Sequence, residues 1–484
     1  ENIEIAAPKG FAVRIPDIER AGYENLGWFG NPEFKGDTLS HVAAADTDAT
    51  VWGKFMAVAS ITLNTNGGTV DSGMVEKYTE GLGAKLPKKV SRDGYVFVGW
   101  YAEEDFSGNR VQAVGPDATG AQVFYARWYK METPAKDDAG CYVIKTAPEL
   151  YGFAAIVNGT AGYTRERSAC AGLANDIVVN SDVLNEDGTL KNAEAALNFI
   201  PWNPIDSFAG VFNGNGHVVS GLFYADSAYY ESFGFFAGIG GTADKFAELK
   251  NFGLVDSYFA VKAAYFGAIA GRVVGVPFSV NYGSGYCAKF SGVYNESTLL
   301  PYADAQGAAG ILGSINYRST AHFENTYNRG LILGRSYNIA GILAHLSSNT
   351  TLYMVNCYSV WKSKSLMYKE SKAFIAGNLG ASTVSIDNCY YLNTQAYREI
   401  AGIPAADSLF SNGTVTLVLR KGENGSVWGQ NVGTDAYPNL SGKLENSQAA
   451  EYKVTFHTFE GNNATYFDSY VAGFSKALPE DVYM

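Results

Sequence analysis

Apolar and polar positions alternate over short stretches along the whole chain. ITLNTNGG, residues 61–68, alternates and then meets Asn-Gly-Gly, the pattern of a strand entering a tight turn. VTFHTFEGNN, residues 454–463, opens the same way. Between about residues 131 and 444, Ala-Gly-centred runs recur: GAIAGRV (267–273), AAGILGS (308–314), IAGILAH (339–345) and FIAGNLG (374–380). Partner runs carry Asn-x-Tyr or its variant: FENTYNRG (323–330), MVNCYSV (354–360) and SIDNCYYL (385–392). These runs have strand length and not helix length. Equivalents lie roughly 30 to 40 residues apart, one supersecondary unit each. A unit that small cannot bury an apolar face alone, so the pattern predicts stacked coils with one shared core. One helix is expected, in CYVIKTAPELYGFAAIVNG (141–159), where Thr146 caps a helix beginning at Pro148 with Glu149 in its first turn.

Two blocks near the N-terminus repeat each other. AGYENLGWFGNPEFKG (21–36) matches DGYVFVGWYAEEDFSG (93–108), with Gly22-Tyr23 on Gly94-Tyr95 and Gly27-Trp28 on Gly99-Trp100. Ile15-Pro16 matches Leu86-Pro87 upstream, and ATVWGKF (49–55) matches AQVFYARW (121–128) downstream. The period of roughly 72 residues signals tandem small domains. Only the second block has a full front, residues 61–87. Residues 454–479 supply a further front without a back.

These blocks resemble the Listeria–Bacteroides repeat, or internalin B-repeat. The likeness rests on the strand and Asn-Gly-Gly turn, then Leu86-Pro87, RDGYVFVGWY (92–101) and FYARW (124–128). It is specific for residues 61–128 and partial for the first block, which has Glu24-Asn25-Leu26 where the motif has an aromatic. It implies a small β-grasp-like fold in secreted or surface bacterial proteins, used as a spacer or adhesive array. The region from about 131 to 444 is similar to GLUG-type repeats, most of all in WNPIDSFAGVFNGNGHVVSGL (202–222). That likeness implies a right-handed parallel β-helix, with a C-terminal cap in residues 412–440. The fold expected is therefore all-β. Its parts are a partial or divergent repeat (1–57), a complete repeat (58–131), a parallel β-helix or solenoid (132–445), and the front half of a further repeat (446–484).

Composition narrows the function. Charged residues make up 17% of the 484, below the roughly 25% of an average domain, while Gly (54), Tyr (32) and Phe (28) are abundant. Many short strands joined by tight turns need such a mixture. The net charge of −12, with no Lys/Arg-rich tract, argues against nucleic acid as a partner. No apolar run reaches the roughly 18 residues of a membrane-spanning segment. Glu1 in place of an initiator Met implies a cleavage or cloning boundary.

Candidate chemistry is sparse. The five histidines, His41, His217, His322, His345 and His457, share no metal-ligand spacing with a Cys or with each other. Gly214-Asn215-Gly216 lacks the third glycine of a dinucleotide loop and reads as a corner between coils. Asp46-Thr47-Asp48 and Asn185-Glu186-Asp187-Gly188 are acidic turns that complete no calcium loop. A polysaccharide-active site on stacked coils needs carboxylates in one column, but Glu324, Val355 and Asp387 form a broken one. Asp256, Asp304 and Asp407 fall in no register. Hence no catalytic, cofactor or metal residues are expected. In a secreted chain, a Cys141–Cys170 disulfide would close a loop of roughly 30 residues and contribute on the order of 3 kcal/mol. Cys357 and Cys389 read as a ladder of buried thiols, Cys287 as buried and free, and Asn325, Asn356 and Asn388 as a ladder at a turn.

The sequence thus points to a non-catalytic extracellular or cell-surface adhesin or structural protein, whose partner is itself or a host or plant surface glycan or protein. The unmatched front (Val454, Phe456, Leu478) could complete the unmatched back (Ile15, Tyr23, Trp28) of another copy, head to tail. The plainer alternatives are that the chain is a piece of a longer array, or that residues 2–16 are a divergent front. An enzyme would show a surface groove along the coils with two or more carboxylates beside a Lys or Arg. A carbohydrate-binding module would show a row of exposed aromatics, with Tyr229-Tyr230, Tyr390-Tyr391, Trp361 and Tyr368 as candidates.

Overall fold

The computed structural model describes residues 4–6, 8–44, 48–242, 244–274, 286–302, 305–334, 336–360, 362–363, 372–375, 382–392, 402–457 and 465–474. The fold is all-β, 47% strand against 8% helix. The chain divides into two compact units, Glu1–Lys130 and Met131–Met484.

In the first unit, the two blocks share one strand. Trp52–Asn64 runs continuously from the end of the first block into the front of the second. Its first half pairs antiparallel with Tyr23–Phe29, placing Trp28 opposite Gly53. Its second half pairs parallel with Gln122–Lys130, placing Ile61 opposite Gln122 and Asn64 opposite Tyr125. Gln122–Lys130 in turn pairs antiparallel with Tyr95–Tyr101, placing Trp100 opposite Ala126. The two tryptophans therefore hold equivalent places. The turn after the front strand has Asn66 at φ 48° and Gly67 at φ 85°, the two positive values a tight hairpin-type turn requires. Trp100 is 2% exposed among Ile61, Tyr78, Leu86, Val114 and Phe124. Its indole N–H donates to the Pro87 carbonyl at 2.8 Å, so the buried ring keeps no unmet donor.

The second unit opens on Tyr142–Ile144 and the helix Ala147–Asn158, which starts one residue before Pro148. Thr146 is the N-cap, its hydroxyl accepting from the Glu149 N–H at 3.4 Å. Ala135–Lys136 pairs antiparallel with Tyr142–Ile144, and with the strands beyond the helix, stacked in parallel register, they make one 24-stranded, solenoid-like sheet among the described residues. The repeat length shows in bonds between neighbouring coils. Asn295–Asn328 spans 33 residues, Asn388–Asn356 spans 32 and Ser314–His345 spans 31.

Several columns of the stack repeat one kind of side chain. The inward column Phe212, Leu249, Phe290, Phe323, Met354, Ile386 forms the core, with Phe290 and Phe323 stacked at 4.6 Å. Asn251, Asn325, Asn356 and Asn388 turn the corner at φ 49–54°, a left-handed conformation that Asn tolerates. The next strand column is Gly253, Tyr294, Tyr327, Tyr358, Tyr390. Its rings lie nearly parallel, with centroids 4.6 Å apart for Tyr294–Tyr327 and 5.1 Å for Tyr327–Tyr358. Gly253 begins the column because a Cβ there would meet the Tyr294 ring at 2.1 Å.

The segment that follows the stack packs on the tyrosine column. The helices Asp407–Ser411 and Thr414–Lys421 and the following Trp428 bury Tyr327, Tyr358 and Tyr390, with Phe410, Val415, Val418 and Leu419 in the same cluster. The same segment satisfies the asparagine ladder. Asn388 donates to the Val418 carbonyl at 2.9 Å, Asn325 donates to the Asn424 carbonyl at 3.2 Å, and the Trp428 indole donates to Asn325 at 2.9 Å. Gly422 permits this approach, since a Cβ there would meet Asn356 Oδ1 at 1.9 Å. Glu451–His457 and Thr465–Val471 then form an antiparallel pair, held to the cluster by Val471 and by Phe474 against Tyr390 at 4.9 Å.

Candidate functional site

Most of the residues singled out from the sequence are committed to structure. Cys141 and Cys170 form a disulfide with Cα atoms 4.7 Å apart, joining two stretches that flank the helix. Cys287, Cys357 and Cys389 are buried free thiols. Burial pushes the Cys389 thiol well up, with the Cys357 side chain beside it. Asp256 accepts the Leu184 N–H at 2.8 Å, Asp187 closes its own turn onto Thr189, and Asp407 accepts from the Tyr437 hydroxyl at 3.0 Å. His41 bonds Ser40, and His217 at the Gly-Asn-Gly corner bonds Asp176 at 3.1 Å. Asp46, Thr47, Asp304, Trp361, Tyr368 and Leu478 lie outside the described residues. So do the side chains of Val454, Phe456 and His457, whose backbones form a strand. Ile15 is buried, Trp28 half-buried and Tyr23 39% exposed. Among the described residues, no group of three or more His, Cys, Asp or Glu is placed to hold a metal ion.

Two polar constellations were not singled out. In one column, Gly238, Arg272, Ser314 and His345 align coil by coil. Ser314 Oγ lies 3.0 Å from His345 Nδ1, and Arg272 pairs with Glu231 at 3.0 Å. Burial holds the His345 imidazole below its ordinary pKa. A serine beside a neutral histidine has the parts of a nucleophile and its base. However, Ser314 is fully buried, and a nucleophile must reach its substrate.

The second constellation is open to water. The outward column of the neighbouring strand set runs Val211, Glu248, Lys289, His322, Tyr353, Ser385. It borders a groove of about 400 Å³ lined by Asp244, Lys245, Phe246, Glu248, Lys289 and His322. Two of its charges are paired with neighbours beside the groove, Glu248 with Lys250 at 3.4 Å and Lys289 with Glu324 at 3.2 Å. The rings run in a row. Phe246 lies 5.1 Å from His322, and His322 lies 4.6 Å from Tyr353, edge to face. Burial, and then the Lys289 ammonium, hold the His322 imidazole below its ordinary pKa, so it is neutral at pH 7. This groove meets the composition set out for an enzyme, two carboxylates beside lysines. The two pairs fix Glu248 and Lys289 as an acceptor and a donor at the groove. The column tested from the sequence, Glu324, Val355, Asp387, lies two residues further along the same strands.

Among the aromatics proposed as sugar contacts, Tyr390 and Tyr391 are buried, Tyr230 is hydrogen-bonded to Tyr224, and Tyr229 is 60% exposed. A larger hollow of about 710 Å³ lies beside the disulfide. Its Glu166 is tied to Lys136 and Tyr142, and its Arg165 to the Asn158 carbonyl.

The Listeria-Bacteroides repeat domain model matches residues 60–127, the second block with its shared front strand. No curated protein matches the chain. Among solved structures, the chain is similar to a Bacteroides ovatus protein provisionally named an immunoglobulin A1 protease. The identity is 14% and the TM-score 0.42, over 65% of this chain and 96% of that one.

Proposed function

We propose that the chain is a non-catalytic adhesin or structural repeat protein of a bacterial surface. In this reading, residues 132–445 are a right-handed parallel β-helix of GLUG type, flanked by small repeat domains at 1–57 and 58–131 and by a front half at 446–484. The observation that carries it is how the stack uses its functional-looking residues. Asparagines, tyrosines and phenylalanines recur at equivalent positions from one coil to the next, and two of the groove's charged residues, Glu248 and Lys289, are held in ion pairs with Lys250 and Glu324 beside it. The repeat domain at 60–127 and the disulfide fit an extracellular setting. Labelling of intact cells by antibody tests the location, and the reading fails if only lysed cells label.

The half-repeats supply a finer proposal, head-to-tail assembly. The pair Glu451↔Val471, Tyr452↔Tyr470, Lys453↔Ser469 repeats the register Val58↔Thr79, Ala59↔Tyr78, Ser60↔Lys77 of the complete repeat. In that repeat the front strand continues by pairing parallel with Gln122–Lys130. Residues 454–457 of one copy would pair in the same way along residues 49–52 of the next, covering two sheet edges. Electron microscopy of the chain, and of a version lacking 454–484, tests this. Filaments that disappear on truncation support it, and identical single particles in both samples refute it.

A further inference from the structure

We propose that the groove beside Glu248, Lys289 and His322 binds a neutral oligosaccharide, laid across successive coils. This deepens the adhesin reading, and rests on it, by naming the ligand class. Three observations converge on it. First, the charges balance. The lining carries Asp244 and Glu248 with Lys245 and Lys289, and Lys250 and Glu324 adjoin it through the ion pairs Glu248–Lys250 and Lys289–Glu324. A polyanion gains nothing from such a surface, whereas sugar hydroxyls both donate and accept hydrogen bonds and suit alternating charge-assisted partners. Second, Phe246, His322 and Tyr353 form a continuous row of rings with Tyr353 43% exposed, and His322 adds no charge to it at pH 7. The apolar face of a pyranose packs on such rings while its equatorial hydroxyls reach the polar groups. Third, the row steps along the stack, where neighbouring strands lie roughly 4.8 Å apart, close to the length of one pyranose in an extended chain. The ion pairs also fix the polar side chains before binding, which lowers the ordering cost.

The experiment is titration calorimetry of the whole purified chain with neutral hexasaccharides of the gluco-, manno-, galacto- and xylo- series, and with a hexagalacturonate as the charged comparator. At least one neutral series should bind, and the galacturonate should not. Phe246→Ala and Tyr353→Ala should each weaken binding about tenfold, the worth of one good ring contact. Tyr337→Ala, on another part of the stack and 71% exposed, should leave it unchanged. Tyr353 is exposed enough for its variant to fold even if Phe246→Ala does not, and thermal melts show which variants are native. Failure of every neutral series to bind overturns the proposal, as does preference for the galacturonate or equal loss in the Tyr337 variant. A negative titration with cell-surface labelling intact sinks the groove alone, whereas absence of labelling sinks the reading beneath it.

Discussion

The complete repeat at residues 60–127 and the stacked sheet beyond residue 131 are both all-β, yet they are stabilised in opposite ways. The repeat depends on singular residues. Trp100 is buried at the centre of one core and bonds one carbonyl, with Trp128 packed partly buried against the same core. The stack depends on plural ones. Its Tyr294–Tyr327 and Tyr327–Tyr358 contacts are near-copies. Stability in such an array is close to a sum of coil and interface terms, while a small domain unfolds as one unit. The difference teaches where a single substitution does the most damage.

Trp100→Ala is therefore the harshest test of the contrast. Removing a fully buried indole costs about 3–5 kcal/mol, a large part of what a domain of this size holds. Calorimetry should show the transition of the first unit lowered or lost, and that of the second unit unmoved. A downward shift of both transitions would mean that the units do not unfold independently, and the contrast would fail.

The disulfide gives the next largest effect, on the other side. Replacing Cys141 and Cys170 by Ala frees a loop with a sequence separation of 29, worth about 3–4 kcal/mol on the chain-entropy account. The bond joins the strand Tyr142–Ile144 and its helix to the coil beginning at Cys170. Loss should thus fray the first coils and leave the Tyr327–Tyr390 coils protected in hydrogen exchange. Uniform loss of protection throughout the second unit would show a cooperative stack and contradict the additive picture.

These two regions were also unequally legible in the sequence. The repeat's turn, paired strands and equivalent tryptophans follow from local pattern, because Asn-Gly and Gly-Trp impose their geometry within a few residues. The asparagine corner and tyrosine column were readable for the same reason, since one position recurs from coil to coil. The packing of Asp407–Ser411 and Thr414–Lys421 on that column was not. It depends on Gly422 and Trp428 meeting asparagines up to about a hundred residues away, the Trp428–Asn325 bond spanning 103. The groove was hidden for a different reason. Coils differ in length, Glu248 and Lys289 in register across 41 residues but Lys289 and His322 across 33, so a fixed offset does not bring the three into one column. Aligning the strands AELKNFG, AKFSGVY and AHFENTY would have found it.

The smallest predicted effect isolates the plural side of the comparison. Burial is the main cause that pushes Tyr294 up to about 12, and it pushes Tyr327, Tyr358 and Tyr390 up as well. An unfolded tyrosine titrates near 10. Below about pH 10 both states hold the phenolic proton, and the contribution to stability is intact. Between about 10 and 12 the unfolded chain releases protons that the folded chain keeps, so stability falls as pH rises. Tyr294→Phe keeps the ring that stacks on Tyr327 and removes one such proton. At pH 8 the second unit should melt almost as before. Above pH 10 its stability should fall less steeply than in the native chain, by at most about 1.4 kcal/mol per pH unit, and by less because the ring keeps some contact with water. Denaturant titrations at pH 8, 10 and 11 measure that slope. An unchanged slope would mean that Tyr294 ionises as freely in the fold as out of it. The column would then be an open stack of rings and no longer the shared core that sets this region apart from the repeat.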